Sequence, residues 1–220
     1  MSIGQNENGD LKGVEMRIYF ARHGESEANI LQEFSNRGRK HGLTEKGKEQ
    51  AERLAAHLMS VPFSALFCSP LLRATQTAEI VSDRLSIPYE TEEGLREYDV
   101  GIFEGKSDEA SWKRFGGNFE RWMEGKDWDS GIEEGESYND IRARFMPFFQ
   151  RLEVEYQLTD ANILLIGHGG TFLCMLPLVL SNIDHTSSMR SPMDNTAYIV
   201  AEYRGGEWVC LRWGEKEFEV

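Results

Sequence analysis

Residues 16–25 read MRIYFARHGE and decide the fold. The apolar run predicts a buried strand, and the glycine after it predicts a sharp turn that carries Arg22 and His23. An arginine offers a rigid guanidinium fork that matches phosphate oxygens. A histidine is both a proton carrier near neutral pH and a nucleophile. Because a neighbouring cation disfavours a charged imidazole, we expect His23 to stay neutral and keep a free lone pair, which indicates attack on phosphorus.

A second apolar run, SALFC at residues 64–68, also ends in a turn followed by an arginine. Ser69 is a candidate N-cap and Pro70 a candidate first helical residue, which places Arg73 in the first turn of a helix. The pattern parallels that at Arg22. We therefore expect a second guanidinium group just beyond the end of a strand.

A third apolar run, NILLI at residues 162–166, leads into Gly167-His168-Gly169-Gly170. Such glycine turns bring backbone amides close to a ligand, which favours a functional role for His168. In open α/β sheets, ligands gather beyond the carboxyl ends of the strands. If the three strands are parallel neighbours, the sequence predicts one anion site built from Arg22, His23, Arg73 and His168.

The segments between these strands predict helices and a closing hairpin. Apolar residues recur at helical spacing in four segments: 44–59 with Thr44 as its cap, 73–85, 137–156 opened by a near capping box at Ser137, and 171–180. Two β-rich runs around Arg204-Gly205-Gly206, over 196–203 and 207–213, predict a hairpin. Together these elements predict an α/β fold, a three-layer sandwich with a mostly parallel mixed sheet and helices on both faces.

One segment differs from the rest in composition. Residues 108–124 are rich in Trp, Phe and charged side chains and contain Gly116-Gly117, so we expect an irregular helix that breaks there. Residues 106–136 as a whole are predicted to form a small helical cap insertion beside the site. We expect residues 1–15 to be a flexible N-terminal tail and residues 16–220 to form a single domain.

Charge and composition limit the partners. The 220 residues include 24 basic and 37 acidic ones, for a net charge of −13, which argues against nucleic acid and anionic membranes. The first fifteen residues lack the pattern of a secretory signal, and no apolar run is long enough to span a bilayer. Three cysteines, Cys68, Cys174 and Cys210, lie in apolar stretches and predict buried thiols in a reducing compartment, which favours the cytoplasm.

Other motifs are weaker candidates. GIFEGKS at residues 101–107 has three residues between its glycines where a P-loop needs four, and Asp108 follows where phosphate would bind. Cys68–Arg73 has four intervening residues where a cysteine phosphatase loop needs five. The histidines and acids lack zinc-ligand spacing, so we predict no metal site. We predict surface positions for His41, His57 and His185.

A phosphoryl transfer also needs an acid that protonates the leaving oxygen. Glu97, Asp99 and Glu104 all lie within residues 95–105, in the stretch LREYDVGIFEG. Residue chemistry alone does not choose among these three carboxylates. On residue chemistry alone, the favoured interpretation of Glu97 is an ordinary loop carboxylate in an acidic protein, with no catalytic role.

Six motifs in the right order resemble the histidine phosphatase superfamily, in its phosphoglycerate-mutase-like branch. The resemblance extends from about Arg17 to the final hairpin. The matching segments are RHGES at 22–26 with Asn29 beyond it, LTEKG at 43–47, SPLLRATQTA at 69–78, residues 95–105, GES at 135–137 and GHGG at 167–170.

The resemblance implies a role for each motif residue. His23 would be the nucleophile that becomes phosphohistidine, and Glu97 would protonate the leaving oxygen and then activate water. The phosphoryl oxygens would be held by Arg22, Arg73 and His168, with further phosphate contacts from Asn29 and the amide of Gly169. Ser35 would lie near a position that helps to bind substrate in some members of the family. The implied activity is hydrolysis of a small-molecule phosphate ester, with no metal and no cofactor.

Two other functions stay open at this point. A cofactor-dependent phosphoglycerate mutase would be expected to carry a basic insertion after the acid; here Lys113-Arg114, Arg121 and Lys126 are diluted by acidic residues. A catalytically silent regulatory binding module on the same scaffold is the third possibility. A homodimer is also open, with Trp208 and Trp213 of the predicted edge hairpin as candidates for its contact.

Overall fold

Seven strands form one mixed sheet in the computed structural model, which describes residues 15–124, 127–156 and 159–219. The predicted tail over residues 1–15 lies outside the described residues except for Glu15. The strands are β1 (Arg17–Arg22), β2 (Phe63–Cys68), β3 (Tyr89–Thr91), β4 (Asn162–Gly167), β5 (Tyr198–Arg204), β6 (Glu207–Trp213) and β7 (Lys216–Glu217). Their order across the sheet is β3-β2-β4-β1-β5-β6-β7.

The sheet is parallel on one side and antiparallel on the other. β3, β2, β4 and β1 run parallel to one another, whereas β5, β6 and β7 continue the sheet in antiparallel pairs. The carboxyl ends of β1, β2 and β4 therefore meet at one edge, as the sequence predicted. This topology confirms the expected α/β fold with a mostly parallel mixed sheet.

Helices connect the strands and cover both faces of the sheet. They are α1 (Glu27–Leu31), α2 (Glu45–Leu58), α3 (Leu72–Leu85), α4 (Glu109–Met123), α5 (Tyr138–Tyr156), α6 (Gly169–Met175) and α7 (His185–Met189), with 3₁₀ turns at 93–95, 101–103 and 176–178 among the described residues. Alternate residues of the strands pack into two separate cores. Leu164 and Ile166 of β4 pack with α2 and α3, and Ile163 and Leu165 pack on the opposite face with α5 and α6.

Two of the predicted helices begin with the expected caps. The Thr44 hydroxyl accepts the backbone N–H of Gly47 at 3.0 Å, which opens α2. Ser137 and Asp140 form a reciprocal pair at α5, in which each side chain accepts the other residue's backbone N–H, at 3.1 and 2.8 Å. Such caps satisfy amide donors that the first turn of a helix leaves unpaired.

Three predictions about the helices are wrong. α3 begins at Leu72 with Leu71 as its N-cap, so Ser69 and Pro70 lie outside the helix. α6 starts at Gly169 and ends at Met175, short of the predicted 171–180, because Pro177 has no N–H with which to continue the α-helical pattern. α4 continues through Gly116-Gly117 without the predicted break, since its amphipathic packing outweighs the low helix propensity of glycine.

The indoles proposed for a dimer contact are buried within the chain itself. Trp208 is 3% exposed and donates its Nε1–H to Glu153 at 2.6 Å, while Trp213 is 5% exposed and donates to the carbonyl of Ser191 at 2.8 Å. The short strand β7 pairs with β6 on its outer side. These two side chains are therefore unavailable to a partner, and a homodimer stays an untested prediction.

Two of the three histidines expected at the surface are not there. His41 is 7% exposed and lies 3.0 Å from the Glu33 carboxylate. His185 is half-buried, and its Nε2 lies 2.7 Å from the Tyr138 hydroxyl. Tyr138 lies 47 residues from His185 along the chain, and Glu33 lies 8 residues from His41, so neither contact follows from helix or strand periodicity. His57 is exposed on α2, as predicted.

Within the described part of the chain, no helix combines the length and the apolar character that crossing a membrane requires. Cys68, Cys174 and Cys210 are free and buried, which confirms the predicted burial of these thiols.

Glycine positions in two helices predict opposite effects on stability. A Cβ on Gly47 would lie 2.0 Å from the carbonyl oxygen of Glu25, whereas Gly116 has nothing within 4 Å of its Cβ position. We expect Gly47→Ala to lower the free energy of unfolding by about 1–3 kcal/mol through overpacking. Gly116→Ala should raise it by about 0.5–1 kcal/mol, because alanine favours the helix. Urea unfolding of the two variants tests this contrast, and equal effects would contradict it.

Candidate active site

Four side chains predicted from three separate segments lie together beyond the carboxyl ends of β1, β2 and β4. Arg22 ends β1 opposite Gly167, the last residue of β4. The rings of His23 and His168 have centroids 5.1 Å apart, and the Arg73 Nε lies 3.0 Å from the His23 Nε2. The predicted convergence of two arginines and two histidines is thus present in the structure.

Hydrogen bonds fix the protonation of the His23 ring. Its Nδ1 lies 2.7 Å from the carbonyl oxygen of Gly24, which can only accept, so Nδ1 carries the proton. Nε2 consequently bears the lone pair and accepts from the Nε–H of Arg73. The turn at Gly24 cannot carry a side chain, because a Cβ there would lie 2.4 Å from the Gly47 carbonyl oxygen. The ring is therefore oriented by backbone atoms and presents a basic nitrogen to the guanidinium groups.

Burial and positive charge keep both histidines neutral. His23 is 3% exposed, and burial first, then Arg73 and Arg22, hold the pKa of its imidazole well below its usual range. Burial also lowers the pKa of His168 far below its usual range, with further lowering from Arg73, His23 and Arg22. A neutral His23 at physiological pH is the form that can attack an electrophile.

These depressed pKa values predict a loss of stability in mild acid. The unfolded chain takes up protons on its histidines near pH 6.5, whereas folded His23 and His168 resist protonation. The free energy of unfolding should therefore fall as pH drops below about 6.5, by about 1.4 kcal/mol per pH unit for each histidine. Urea unfolding between pH 7 and 5 should show a slope about 1.4 kcal/mol per pH unit smaller in His23→Gln. An unchanged slope in His23→Gln would contradict this prediction.

His168 pairs with the residue that was predicted to cap α3. The Ser69 hydroxyl lies 2.7 Å from the His168 Nε2, across a buried contact between the ends of β2 and β4. The other ring nitrogen, Nδ1, is buried and has no hydrogen-bond partner among the described residues. A buried polar atom without a partner is costly, so Nδ1 is a natural contact for a ligand oxygen.

The two arginines are anchored through backbone oxygens. Arg73 donates to the carbonyl of Ser35 at 2.6 Å and to the side-chain oxygen of Asn36 at 3.1 Å, and burial lowers the pKa of its guanidinium to about 10. Arg22 donates to the carbonyl of Met193 at 2.5 Å, and burial lowers its pKa as well. Both remain charged near neutral pH. No local pattern predicts Asn36 as a partner of Arg73, because its loop lies far from α3 along the chain.

The structure distinguishes the three candidate acids. The Glu97 carboxylate accepts the backbone N–H groups of Gly170 and Thr171, at 3.0 and 2.7 Å, and lines the same cavity as His23. Asp99 instead binds Arg37 at 2.8 Å, and Glu104 binds backbone amides of the 36–37 loop. Neither of those two carboxylates lines the cavity. Geometry therefore selects Glu97.

Gly170 is needed for the position of Glu97. A Cβ at Gly170 would lie 2.5 Å from the Tyr98 ring and 2.9 Å from both Glu97 carboxylate oxygens. The close approach lets the carboxylate reach the amides at the start of α6. The glycine turn that the sequence singled out around His168 thus also holds the acid.

The remaining predicted site residues also border the cavity. Asn29 accepts the Ser26 backbone N–H at 3.0 Å, and Asn195, which the sequence did not indicate, lies 3.3 Å from it. Ser35 is buried and contributes its carbonyl to Arg73. Gly169 lies beside Arg22 at the first position of α6.

The cavity encloses about 260 Å³, a size suited to a small molecule. Its inner end is formed by Arg22, His23, Arg73, Glu97 and Gly169. Phe34, Trp112 and Phe115 contribute to the outer wall, so part of the segment 106–136 borders the site. A phosphate ester can place its phosphoryl group at the inner end and its leaving group against these rings.

The alternative motifs have structural explanations. Burial raises the pKa of the Cys68 thiol to about 12, which excludes a thiolate nucleophile there. Gly101, in the GIFEGKS segment, has φ +53° and packs against the backbone of residues 133–135. Within the described ranges, no three His, Cys, Asp or Glu side chains are grouped so that they could hold a metal ion.

Comparison with known proteins decides the family. The model of the histidine phosphatase superfamily, branch 1, matches residues 18–216. The chain belongs to this superfamily. Histidine phosphatase relatives of this chain include phosphatases, with mutase-like proteins also among them.

Individual relatives match most of this histidine phosphatase chain. A 6-phosphofructo-2-kinase/fructose-2,6-bisphosphatase of Aquarana catesbeiana is 33% identical over 168 residues, which cover 74% of this chain and 32% of that protein. This chain therefore spans about a third of the length of that relative. An adenosylcobalamin/alpha-ribazole phosphatase of Escherichia coli is 32% identical over 162 residues, or 73% of this chain and 77% of that protein. The crystal structure of the alpha-ribazole phosphatase from Shigella flexneri matches with a TM-score of 0.75 and 26% identity, covering 93% of this chain and 99% of that one.

Proposed function

We propose that this histidine phosphatase hydrolyses a phosphomonoester of a small molecule through a phosphohistidine on His23. The observation that carries the proposal is the lone pair of His23 Nε2, which lies next to Arg73 in a buried cavity that Arg22 and Glu97 also line. A neutral imidazole beside two guanidinium groups can attack phosphorus while the cations stabilise the charge on the phosphoryl oxygens. This chemistry needs no metal.

In the first step, His23 Nε2 forms a bond to phosphorus as the bond from phosphorus to the leaving oxygen breaks. Glu97, in its acid form, gives its proton to that oxygen, so the leaving group departs as an alcohol. Arg73 donates to the attacking lone pair in the structure. The attack therefore requires Arg73 to exchange this hydrogen bond for one to a phosphoryl oxygen.

In the second step, Glu97 takes a proton from water, and the water oxygen attacks phosphorus. The bond between phosphorus and Nε2 breaks, which returns the lone pair to His23 and releases phosphate. The buried His168 Nδ1, with no partner among the described residues, is suited to contact a phosphoryl oxygen throughout. Asn29, Ser35 and the Gly169 amide border the same space.

The charge distribution favours hydrolysis over the mutase reaction. A mutase must hold a substrate that carries a carboxylate as well as a phosphate. Among the described basic residues of segment 106–136, none lines the cavity, and Arg114 pairs with Glu133 at 3.1 Å. The intact set of His23, Arg73 and Glu97 argues against a silent binding module. The three buried free thiols support our placement of the protein in the cytoplasm.

An activity panel tests this proposal. The purified chain, assayed in EDTA, should release phosphate from p-nitrophenyl phosphate and from members of a panel of small phosphate esters. With 3-phosphoglycerate and catalytic 2,3-bisphosphoglycerate, isomerisation should be slower than phosphate release from the best ester. Faster isomerisation would favour the mutase. No phosphate release at any pH would favour the silent module, and loss of turnover in EDTA would contradict metal independence.

A further inference from the structure

The outer wall of the cavity is aromatic. Phe34 and Trp112 stack with ring centroids 3.8 Å apart, and Phe115 lies 4.9 Å from Phe34. The Trp112 Nε1–H donates to the carbonyl of Gln32 at 2.8 Å, which fixes the indole at the mouth of the cavity. Trp112 is 41% exposed although it is a large apolar side chain. A flat ring bound there would cover part of this surface.

Positive charge is confined to the inner end of the cavity. Among the described residues that line it, Arg22 and Arg73 are the only lysine or arginine side chains. Both lie where the phosphoryl group binds in the proposed reaction. A second anionic group on the substrate would therefore lose its hydration at the outer wall without meeting a lysine or arginine of the described cavity lining.

The charged side chain at the outer wall is a carboxylate and not a cation. Glu33 lines the cavity and is held by Lys40 at 2.5 Å and by His41 at 3.0 Å. These two hydrogen bonds hold the pKa of Glu33 below its usual value, so it is charged near neutral pH. Lys40 is 62% exposed and does not line the cavity, so water screens its charge more than it screens a group inside. Glu33 thus opposes a second anion within the cavity.

We propose that the substrate's leaving group carries a flat apolar ring and no second anionic group. This substrate preference rests on the proposed hydrolysis, and it specifies the class of phosphate ester that the site binds. The ring stacks against Trp112, and Glu33 rejects carboxylates and additional phosphates. Trp112 attracts esters that carry a flat ring, and Glu33 repels esters that carry a second anion. These two residues are therefore the specificity-determining residues of the site.

Binding of phosphonates tests this preference apart from turnover, because their carbon–phosphorus bond is not a substrate for hydrolysis. Calorimetry compares benzylphosphonate, which carries a ring, with 3-phosphonopropionate, which carries a second anion. The wild-type chain should bind benzylphosphonate at least about tenfold more tightly. Equal or tighter binding of 3-phosphonopropionate, or failure of both to bind, would overturn the proposal.

Substitutions at Trp112 and Glu33 test whether these two residues cause the binding preference. Trp112→Ala should weaken benzylphosphonate binding about tenfold and leave 3-phosphonopropionate nearly unchanged, whereas Trp112→Phe keeps a ring and most of the affinity. Glu33→Gln keeps the shape and should tighten 3-phosphonopropionate binding about fivefold. Its matched control is Glu27→Gln, because Glu27 lies 3.5 Å from the same His41 but does not line the cavity. Equal effects of the two glutamine variants would overturn the role of Glu33.

Ester assays separate this inference from the proposed function. If the phosphonates bind with the expected preference but no ester is hydrolysed, hydrolysis is wrong and the binding preference stands. If esters are hydrolysed but 1-naphthyl phosphate has no advantage over 3-phosphoglycerate in kcat/KM, the preference is wrong and hydrolysis stands.

Discussion

Replacement of His23 by alanine should reduce phosphate release by at least about 1000-fold. The proposed reaction passes through a bond between His23 Nε2 and phosphorus. Among the other described groups at the inner end of the cavity, Arg22, Arg73 and Glu97 offer guanidinium groups and a carboxylate. The His168 imidazole is held at Nε2 by Ser69 and contacts a phosphoryl oxygen in the proposed reaction. Arg22 and Arg73 are anchored by the carbonyls of Met193 and Ser35, so we expect both guanidinium groups to stay in place in the variant. Initial rates with p-nitrophenyl phosphate measure the loss.

A control variant tests whether the loss of phosphate release is specific to His23 or follows from the removal of any histidine. His57 is exposed on α2, and His57→Ala should keep wild-type turnover. Orthovanadate resembles a phosphoryl group during its transfer. It should still bind to His23→Ala because the arginines remain, though more weakly than to the wild-type chain. Turnover by His23→Ala within tenfold of wild type would mean that the nucleophile lies elsewhere.

Replacement of Glu97 by glutamine should have an effect that depends on the leaving group. For an alkyl phosphate, whose leaving oxygen needs a proton, we expect a loss of about 100- to 1000-fold in kcat/KM, which reports the first step and not the later attack of water. For p-nitrophenyl phosphate the leaving group departs readily as an anion, so kcat/KM should fall much less. A plot of log kcat/KM against the pKa of the leaving alcohol should therefore be steeper in Glu97→Gln than in the wild-type chain.

Asp99→Asn is the appropriate control, since Asp99 was an equal candidate for the acid on residue chemistry. Its carboxylate binds Arg37 and the Gly101 backbone, outside the cavity. This variant should keep the wild-type dependence on the leaving group. The same loss in kcat/KM for alkyl and nitrophenyl esters in Glu97→Gln would contradict a role of Glu97 as the acid of the first step.

Short-range patterns identified the histidines and arginines of the site. His23 and His168 each follow an apolar run and precede a glycine. Neighbouring parallel strands place their carboxyl ends at one edge of the sheet, whatever the length or structure of the segment between them. The convergence with Arg73 follows from the same rule. Thr44 and Ser137 were predictable as caps because a cap depends on residues only three positions away.

Contacts between distant segments were not predictable in this way. The choice of Glu97 over Asp99 depends on amides at the start of α6, more than 70 residues further along the chain. Ser69 has the local character of a helix cap, but its hydroxyl is taken up by His168, 99 residues away. His41 is buried because its loop folds back on Glu33. Each case is decided by tertiary packing, which local propensity does not describe.

The most direct measurement is to trap and locate the phosphorylated intermediate. A substrate labelled with ³²P at the phosphoryl group is mixed with the wild-type chain, quenched in the millisecond range in alkali, and digested for peptide mapping. The label should be stable to alkali and labile to acid, as phosphoramidates are, and should lie on the peptide that contains His23. Label on a different residue, or release of phosphate with no labelled protein under conditions of rapid turnover, would contradict a phosphohistidine at His23.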